Sequence, residues 1–273
     1  MLVLNLWGIK MKKHNDLKKQ KKLKFNINKL ILNFIIPIFI ILMVFSLIKI
    51  CTWYRENKAS KQVLQEISNS IEVFEDEDVE QNKEEKYKIN FEELKNINNE
   101  VVAWLKVNNT KIEYPVVKAK NNDYYLKYSF DKTYNEAGWI FADYKNKFNG
   151  EDKNIVIYGH NRKDGSMFGS LKDTLNEIWF NDDDNRNIVF ITEQEVSTYR
   201  VFSIYQIKKE DYYIKTDFKD NEFKKFIETL KKRSIKEFDE EISESSHILT
   251  LSTCGNNNKY RTVLHAVKVG EEI

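Results

Sequence analysis

The sequence predicts a mainly β domain, a barrel or sandwich of eight short strands, carried behind one membrane-spanning helix. Three observations lead there. An uncharged apolar run from Leu30 to Ile48 is long enough to cross a bilayer. From about residue 100, short alternating or β-branched runs recur with polar turns between them. Helical periodicity is confined to a few segments outside those runs. With 273 residues, 41% hydrophobic and 32% charged, the chain has room for one ordinary globular domain plus extensions.

The N-terminal part reads first. Residues 1–29 hold nine lysines and one acid, Asp16, so the rest of this +2 chain is net acidic. A basic head alone would suit a nucleic-acid arm. The 19-residue run "LILNFIIPIFIILMVFSLI" directly behind it argues otherwise, and no nucleic-acid partner is expected. At 1.5 Å per residue that run spans roughly 28 Å, close to the hydrocarbon thickness of a membrane. Trp53 and Tyr54 follow it like an interfacial belt. The positive-inside rule makes residues 1–29 a cytoplasmic basic segment and residues 30–52 a transmembrane signal-anchor, with everything after it outside. No small-x-small cleavage site follows the run, and Lys49 and Ile50 stand where a lipoprotein signal needs small residues before Cys51. The expected location is the cell membrane, single-pass, with the main domain extracellular. Export permits disulfides, yet Cys51 sits at the membrane edge, about two hundred residues before Cys254. An intrachain bridge is not expected, which leaves Cys254 a free thiol.

Residues 53–87 read as an extracellular helix and acidic linker. Val63, Leu64, Ile67, Ile71 and Phe74 fall on one face of a helix over 60–74, and "EDEDVEQNKEEK" (75–86) is too polar to pack. Phe91, Leu94 and Ile97 suggest one more short helix opening the main domain, residues 88–273. The expected strands cover 101–107, 112–117, 138–143, 154–160, 187–192, 199–207, 247–253 and 261–269. Helical inserts are expected at 167–175 and at 221–233, where Phe223, Phe226, Ile227 and Leu230 share a face. The acidic stretch "NDDDNRN" (181–187) is read as a solvated turn. An EF-hand loop needs Gly at its sixth position, which counted from Asp182 is Asn187. No metal and no cofactor are expected.

The chemistry concentrates near the C-terminus, in "HILTLSTCGNNNKYRTVLHAVKV". Alternation puts Ile248, Thr250, Ser252 and Cys254 on one face of a strand. If the two flanking strands pair through the 255–260 loop, Arg261 emerges close to Cys254. A neighbouring guanidinium would favour a thiolate or hold an oxyanion, whereas a thiol in apolar surroundings is inert. Cys254 therefore reads either as a nucleophile or as a small core side chain. A nucleophile needs a proton acceptor. His14 is on the wrong side of the membrane. His247 is seven residues from Cys254, about 20 Å along an extended chain. His265 lies on an apolar face and reads as a core histidine. His160 ends the apolar run "NIVIYGH" and opens a polar loop, where side chains reach clefts.

Taken together, "YGHN" after a strand, "MFGSL" shortly after it, "TLSTC" at Thr250–Cys254 and an arginine on the next strand resemble the sortases. The order His160, Cys254, Arg261 matches that family, and papain-like peptidases reverse the first two. The resemblance covers roughly residues 88–273. It implies an eight-stranded sortase-type β-barrel with N-terminal helices and a helix inserted between strands six and seven. It is closest to class B, given the anchor, the long insert over 208–246 and Ser252 two residues before the cysteine. Class C enzymes usually add a lid segment and often a C-terminal membrane helix. The resemblance implies a transpeptidase that cleaves a C-terminal sorting motif of secreted proteins, N-P-x-T-like, after Thr. It then joins them to a peptidoglycan precursor amine through a thioester. In that scheme Cys254 is the nucleophile and His160 the acid–base. Arg261 with the Gly255 N–H holds the oxyanion, and Ser252, Tyr213 and Ile214 contact substrate. Other readings are a membrane-tethered binding domain without activity, a class C- or D-like sortase, or a hydrolytic thiol peptidase.

Overall fold

The computed structural model describes residues 14–21, 29, 31–68, 71–75, 85–219, 221–254 and 259–272. The chain divides into two compact units, Met1–Arg55 and Glu56–Ile273. In the first, a π-helical turn, Ile31–Ile35, runs into helix α1, Ile36–Ser68, whose later turns belong to the second unit. Pro37 accounts for the widened turn, since it has no N–H to donate and its ring crowds the preceding turn. This helix is long and apolar enough to cross a membrane, and its apolar window is not buried in protein. Ser46 and Thr52 return their hydroxyls to the carbonyls of Leu42 (2.8 Å) and Lys49 (2.9 Å). That satisfies the two polar groups within the helix itself.

In the second unit the helix expected over 60–74 ends at Ser68. Val63 and Ile67 are buried as its inner face, but Ile71–Glu75 forms strand β1, antiparallel to β2, Glu85–Ile89. Ile71 and Val73 are β-branched and alternate with other residues. Backbone pairing along β2 overrides the helical spacing that they also fit. Part of the expected acidic linker is therefore strand, and 76–84 lie outside the described residues. Helix α2, Phe91–Ile97, forms as expected. Asn90 caps it by accepting from the Glu93 N–H (3.2 Å), and Phe91 and Leu94 face the core.

Eight further strands close into a barrel: β3 (Val101–Val107), β4 (Glu113–Val117), β5 (Phe141–Ala142), β6 (Asn154–His160), β7 (Asn187–Ile191), β8 (Val196–Lys208), β9 (Ile248–Cys254) and β10 (Tyr260–Glu272). Round the barrel they run β10-β8-β7-β3-β4-β5-β6-β9. Two neighbouring pairs are parallel, β4 with β5 and β6 with β9; the others are antiparallel. Every strand expected from the sequence is present. The one over 138–143 shrinks to two residues because Gly138 adopts φ +60° in a turn, and the chain joins the sheet only at Phe141. The expected helix over 167–175 is a 3-10 helix, Gly169–Leu175, followed by the short α3, Glu177–Phe180. Helix α4, Glu222–Arg233, lies between β8 and β9, the sixth and seventh barrel strands.

Two cores follow from strand alternation. Leu249, Leu251, Leu264 and Ala266 belong to the main core with Leu105 and Val116. Their neighbours Ile248, Val263 and Val267 belong to a second core with Phe223, Phe226, Ile227 and Leu230 of α4. The insert therefore covers the other face of β9 and β10. Each such Leu, Ile, Val or Phe side chain contributes on the order of 1.5–3 kcal/mol on burial. Both faces of the strand carrying Cys254 are thus fixed by packing.

The loop between β4 and β5 is pinned by Asn98, which is buried behind α2. Its Nδ2 donates to Tyr125 Oη and to Phe130 O, both at 2.7 Å, and its Oδ1 accepts from the Glu100 N–H (2.9 Å). Asn98→Ala would strand the buried Phe130 carbonyl and the half-buried Glu100 N–H. We expect a loss of about 2–3 kcal/mol in urea unfolding, against under 0.5 kcal/mol for the exposed Asn99→Ala.

Candidate active site

The parallel pairing of β6 and β9 aligns the two strands residue by residue, from Asn154↔Ile248 to His160↔Cys254. Both strands end at this last pair. Their axes are about 4.8 Å apart, so a histidine and a cysteine ninety-four residues apart in sequence become strand-end neighbours. On the other side of β9, the antiparallel ladder with β10 runs from Val267↔Ile248 to Val263↔Ser252. Cys254 and Arg261 each stand two residues beyond that last pair. One barrel rim therefore carries His160, Cys254 and Arg261 on three adjacent strands, with the cysteine in the middle.

His160 is held from several directions. Gly159 permits close packing before it, since a Cβ there would lie 2.5 Å from Ile140 Cδ1 and 2.7 Å from Phe168 Cγ. The His160 carbonyl accepts from the N–H groups of Arg162 and Phe168, both at 3.0 Å, which folds the following loop back onto the strand end. The ring is half-buried, and its Nε2 lies 2.8 Å from Leu126 O. A carbonyl can only accept, so Nε2 carries hydrogen. The ring's orienting partner is thus a backbone oxygen of the loop that Asn98 pins. Gly138 lies on the same side, where a Cβ would meet Tyr125 O at 2.5 Å and His160 Cδ2 at 2.8 Å.

Arg261 is half-buried, and its Nη1 donates to Tyr213 Oη at 3.4 Å. Tyr213 and Ser252 are fully buried, with their hydroxyl oxygens 3.0 Å apart. The insert therefore reaches the rim through Tyr213, which joins Ser252 on β9 to Arg261 on β10. Ile214 is half-buried and packs against both cores. Gly255 lies outside the described residues. Sequence reasoning missed Leu126, whose contribution is a main-chain oxygen without a side-chain signature, and Asn98 behind it.

The other histidines stand elsewhere. His247 Nδ1 donates to Asp152 O (2.9 Å) at the opposite end of β9. It lines a cavity of about 390 Å³ with Lys268, Glu195 and Phe190, away from the rim that carries Cys254. His265 is fully buried, its Nδ1 2.9 Å from Thr250 Oγ1 and its Nε2 2.9 Å from Tyr205 Oη. In the acidic stretch, Asp183 is paired with Arg186 and Arg200. Among the described residues, no group of three or more His, Cys, Asp or Glu side chains could hold a metal ion.

Burial pushes the His265 pKa down to about 3, from an ordinary value near 6.5. The unfolded chain takes up a proton near pH 6.5 that the folded chain refuses. The stability His265 supplies is therefore complete above pH 6.5 and is lost progressively as pH falls towards 3. Urea midpoints measured between pH 6.5 and 5, where carboxylates stay largely ionised, should decline on acidification. In His265→Gln that decline should flatten.

Comparison with known proteins identifies the family to which this fold belongs. Residues 105–269 match the sortase domain family. The chain is 35% identical over 171 residues to sortase B of Listeria monocytogenes, which covers 62% of this chain and 68% of that protein. It is 33% identical over 165 residues to sortase B of Staphylococcus aureus, covering 60% and 67%. Among solved structures, sortase B from B. anthracis superposes with a TM-score of 0.67 at 34% identity, covering 81% of this chain and 98% of that one. A Staphylococcus aureus sortase B–substrate complex gives 0.63 at 32% identity, covering 66% and 84%. With a closed eight-stranded barrel and a family match over most of it, this chain belongs to the sortase family of cysteine transpeptidases and is sortase B-like.

Proposed function

We propose that this sortase acts as a membrane-anchored class B transpeptidase, with Cys254, His160 and Arg261 as its catalytic residues. The observation that carries the assignment is the rim itself, where β6 ends at His160, β9 ends at Cys254 and β10 begins beside Arg261, with the cysteine between the other two. The Cys254 sulfur attacks the carbonyl carbon after Thr in an N-P-x-T-like sorting motif. The C–N bond breaks, His160 gives its proton to the leaving amine, and a thioester remains. A peptidoglycan precursor amine then attacks the thioester, His160 takes its proton, and the new amide leaves as the sulfur returns to the thiolate that began the cycle, with His160 again protonated. Because Nε2 is engaged by Leu126 O, proton exchange with substrate falls to Nδ1. Arg261 and the Gly255 N–H stabilise the tetrahedral oxyanion. Ser252, Tyr213 and Ile214 belong to the substrate side of the site, Tyr213 and Ser252 acting from beneath it.

Residues 30–52 anchor the protein, with 1–29 cytoplasmic and 53–87 outside, leading to the catalytic domain over 88–273. The lysine-rich head and the apolar helix support this orientation. The partners are secreted proteins bearing the sorting motif and the cell-wall amine, both found on that side of the membrane.

The test is mass spectrometry of the full chain in detergent, with a panel of sorting pentapeptides and with or without triglycine. We expect a thioester on Cys254 that resolves onto the amine and is absent in Cys254→Ala. Release of free acid at the same rate in both conditions would make the protein a hydrolase. No adduct with any peptide would leave a binding domain. Arg261→Met should slow acylation by about 10²–10³-fold. Gly138→Ala should lower kcat/KM at least tenfold while the protein still folds. The added methyl meets a backbone oxygen and the His160 ring, at a φ that disfavours any Cβ.

A further inference from the structure

A row of buried hydrogen bonds crosses four adjacent barrel strands, and both of its ends lie on one short segment of the insert. Asn154 on β6 donates through Nδ2 to the carbonyls of Lys215 (2.9 Å) and Tyr213 (3.4 Å). Its Oδ1 accepts from Thr250 on β9 (2.7 Å), and Thr250 meets His265 Nδ1 on β10 (2.9 Å). His265 Nε2 meets Tyr205 Oη on β8 (2.9 Å), and Tyr212 donates to Tyr205 (3.1 Å). The row thus leaves the insert at residues 213 and 215 and returns to it at 212.

Its polarity is forced. Carbonyls accept only, so the Asn154 amide nitrogen faces them and its oxygen faces Thr250. The single Thr250 proton goes to that oxygen, so Thr250 must accept from His265, which places hydrogen on Nδ1. Burial keeps the ring neutral, so Nε2 is an acceptor and Tyr205 its donor, and each proton has one destination.

A wholly apolar contact would hold the insert against the barrel at least as firmly, because buried polar groups gain little net stability over well-packed hydrophobic ones. What a directed row adds is one allowed placement of the segment it clamps. That segment carries Tyr213, whose hydroxyl touches Ser252 and Arg261. We propose that Asn154, Thr250, His265 and Tyr205 form a positioning relay, which sets Arg261 for oxyanion binding by fixing Tyr213. This rests on the role given to Arg261 above.

Thr250→Val tests it, since it keeps the shape and removes the hydroxyl at the middle of the row. Single-turnover acylation of the full chain in detergent would be followed in wild type, Thr250→Val, Thr250→Ser, Tyr213→Phe and Thr250→Val/Tyr213→Phe, with urea midpoints as a check on folding. We expect Thr250→Val to slow acylation about tenfold and Thr250→Ser to restore most of the rate. In the Tyr213→Phe background, Thr250→Val should cost little more. Equal slowing in both backgrounds, or a lowered midpoint with unchanged acylation, overturns the relay. If Thr250→Val does not fold, Tyr212→Phe removes only the terminal bond and makes the same comparison. A wild-type chain that forms no thioester, or an Arg261→Met variant that acylates as fast as wild type, overturns the functional reading and the relay with it. Normal thioester formation with additive effects overturns the relay alone.

Discussion

Parallel pairing of β6 with β9 is the constraint on which the rest of this structure depends. Parallel neighbours cannot be joined by a hairpin, so the chain must leave the rim at His160 and travel before it can return in the same direction. Residues 161–247 make that journey, laying down β7, β8 and the α4 insert on the way. The return delivers Cys254 beside His160 at the end of both strands. The hairpin-like step to β10 then costs only a short loop and brings Arg261 to the other side. His160 comes to the same rim as Cys254 and Arg261, which lie far from it in the sequence, because strand ends meet.

The same topology decides how the site is supported. A strand with one face in the barrel and the other open would leave Ile248, Val263 and Val267 in water. The insert covers them, and in doing so it carries Tyr213 to the rim. The cover of the second core and the Tyr213 contact with Arg261 therefore come from one element. This explains why an apolar second core contains a directed polar row, since packing alone would fix the distance of the insert but not its register.

The His160 ring is held by a main-chain carbonyl of the loop between β4 and β5. A carbonyl orients the ring and selects the tautomer that carries hydrogen on Nε2. The cost of this choice is that its geometry depends on a whole loop, and that loop depends on Asn98, Tyr125 and the turn at Gly138. Order at the site is inherited from hydrogen bonds some distance behind it.

By itself the sequence determined the eight barrel strands, the inserted helix and the apolar N-terminal helix, and it singled out His160, Cys254 and Arg261 as candidates. These are written in periodicity, composition and side-chain chemistry, each of which acts over a few residues. His265 was also legible as a core histidine, because its strand neighbours are apolar. Where two periods fit the same residues, as at Ile71–Glu75, pairing with a partner strand decided and local spacing did not. Only the tertiary structure decided the parallel register of β6 and β9, the hold of Leu126 O on His160, and the burial of Tyr213 and Ser252 beneath Arg261. Those depend on main-chain atoms and on contacts between segments far apart in the chain, and neither leaves a mark on the order of side chains.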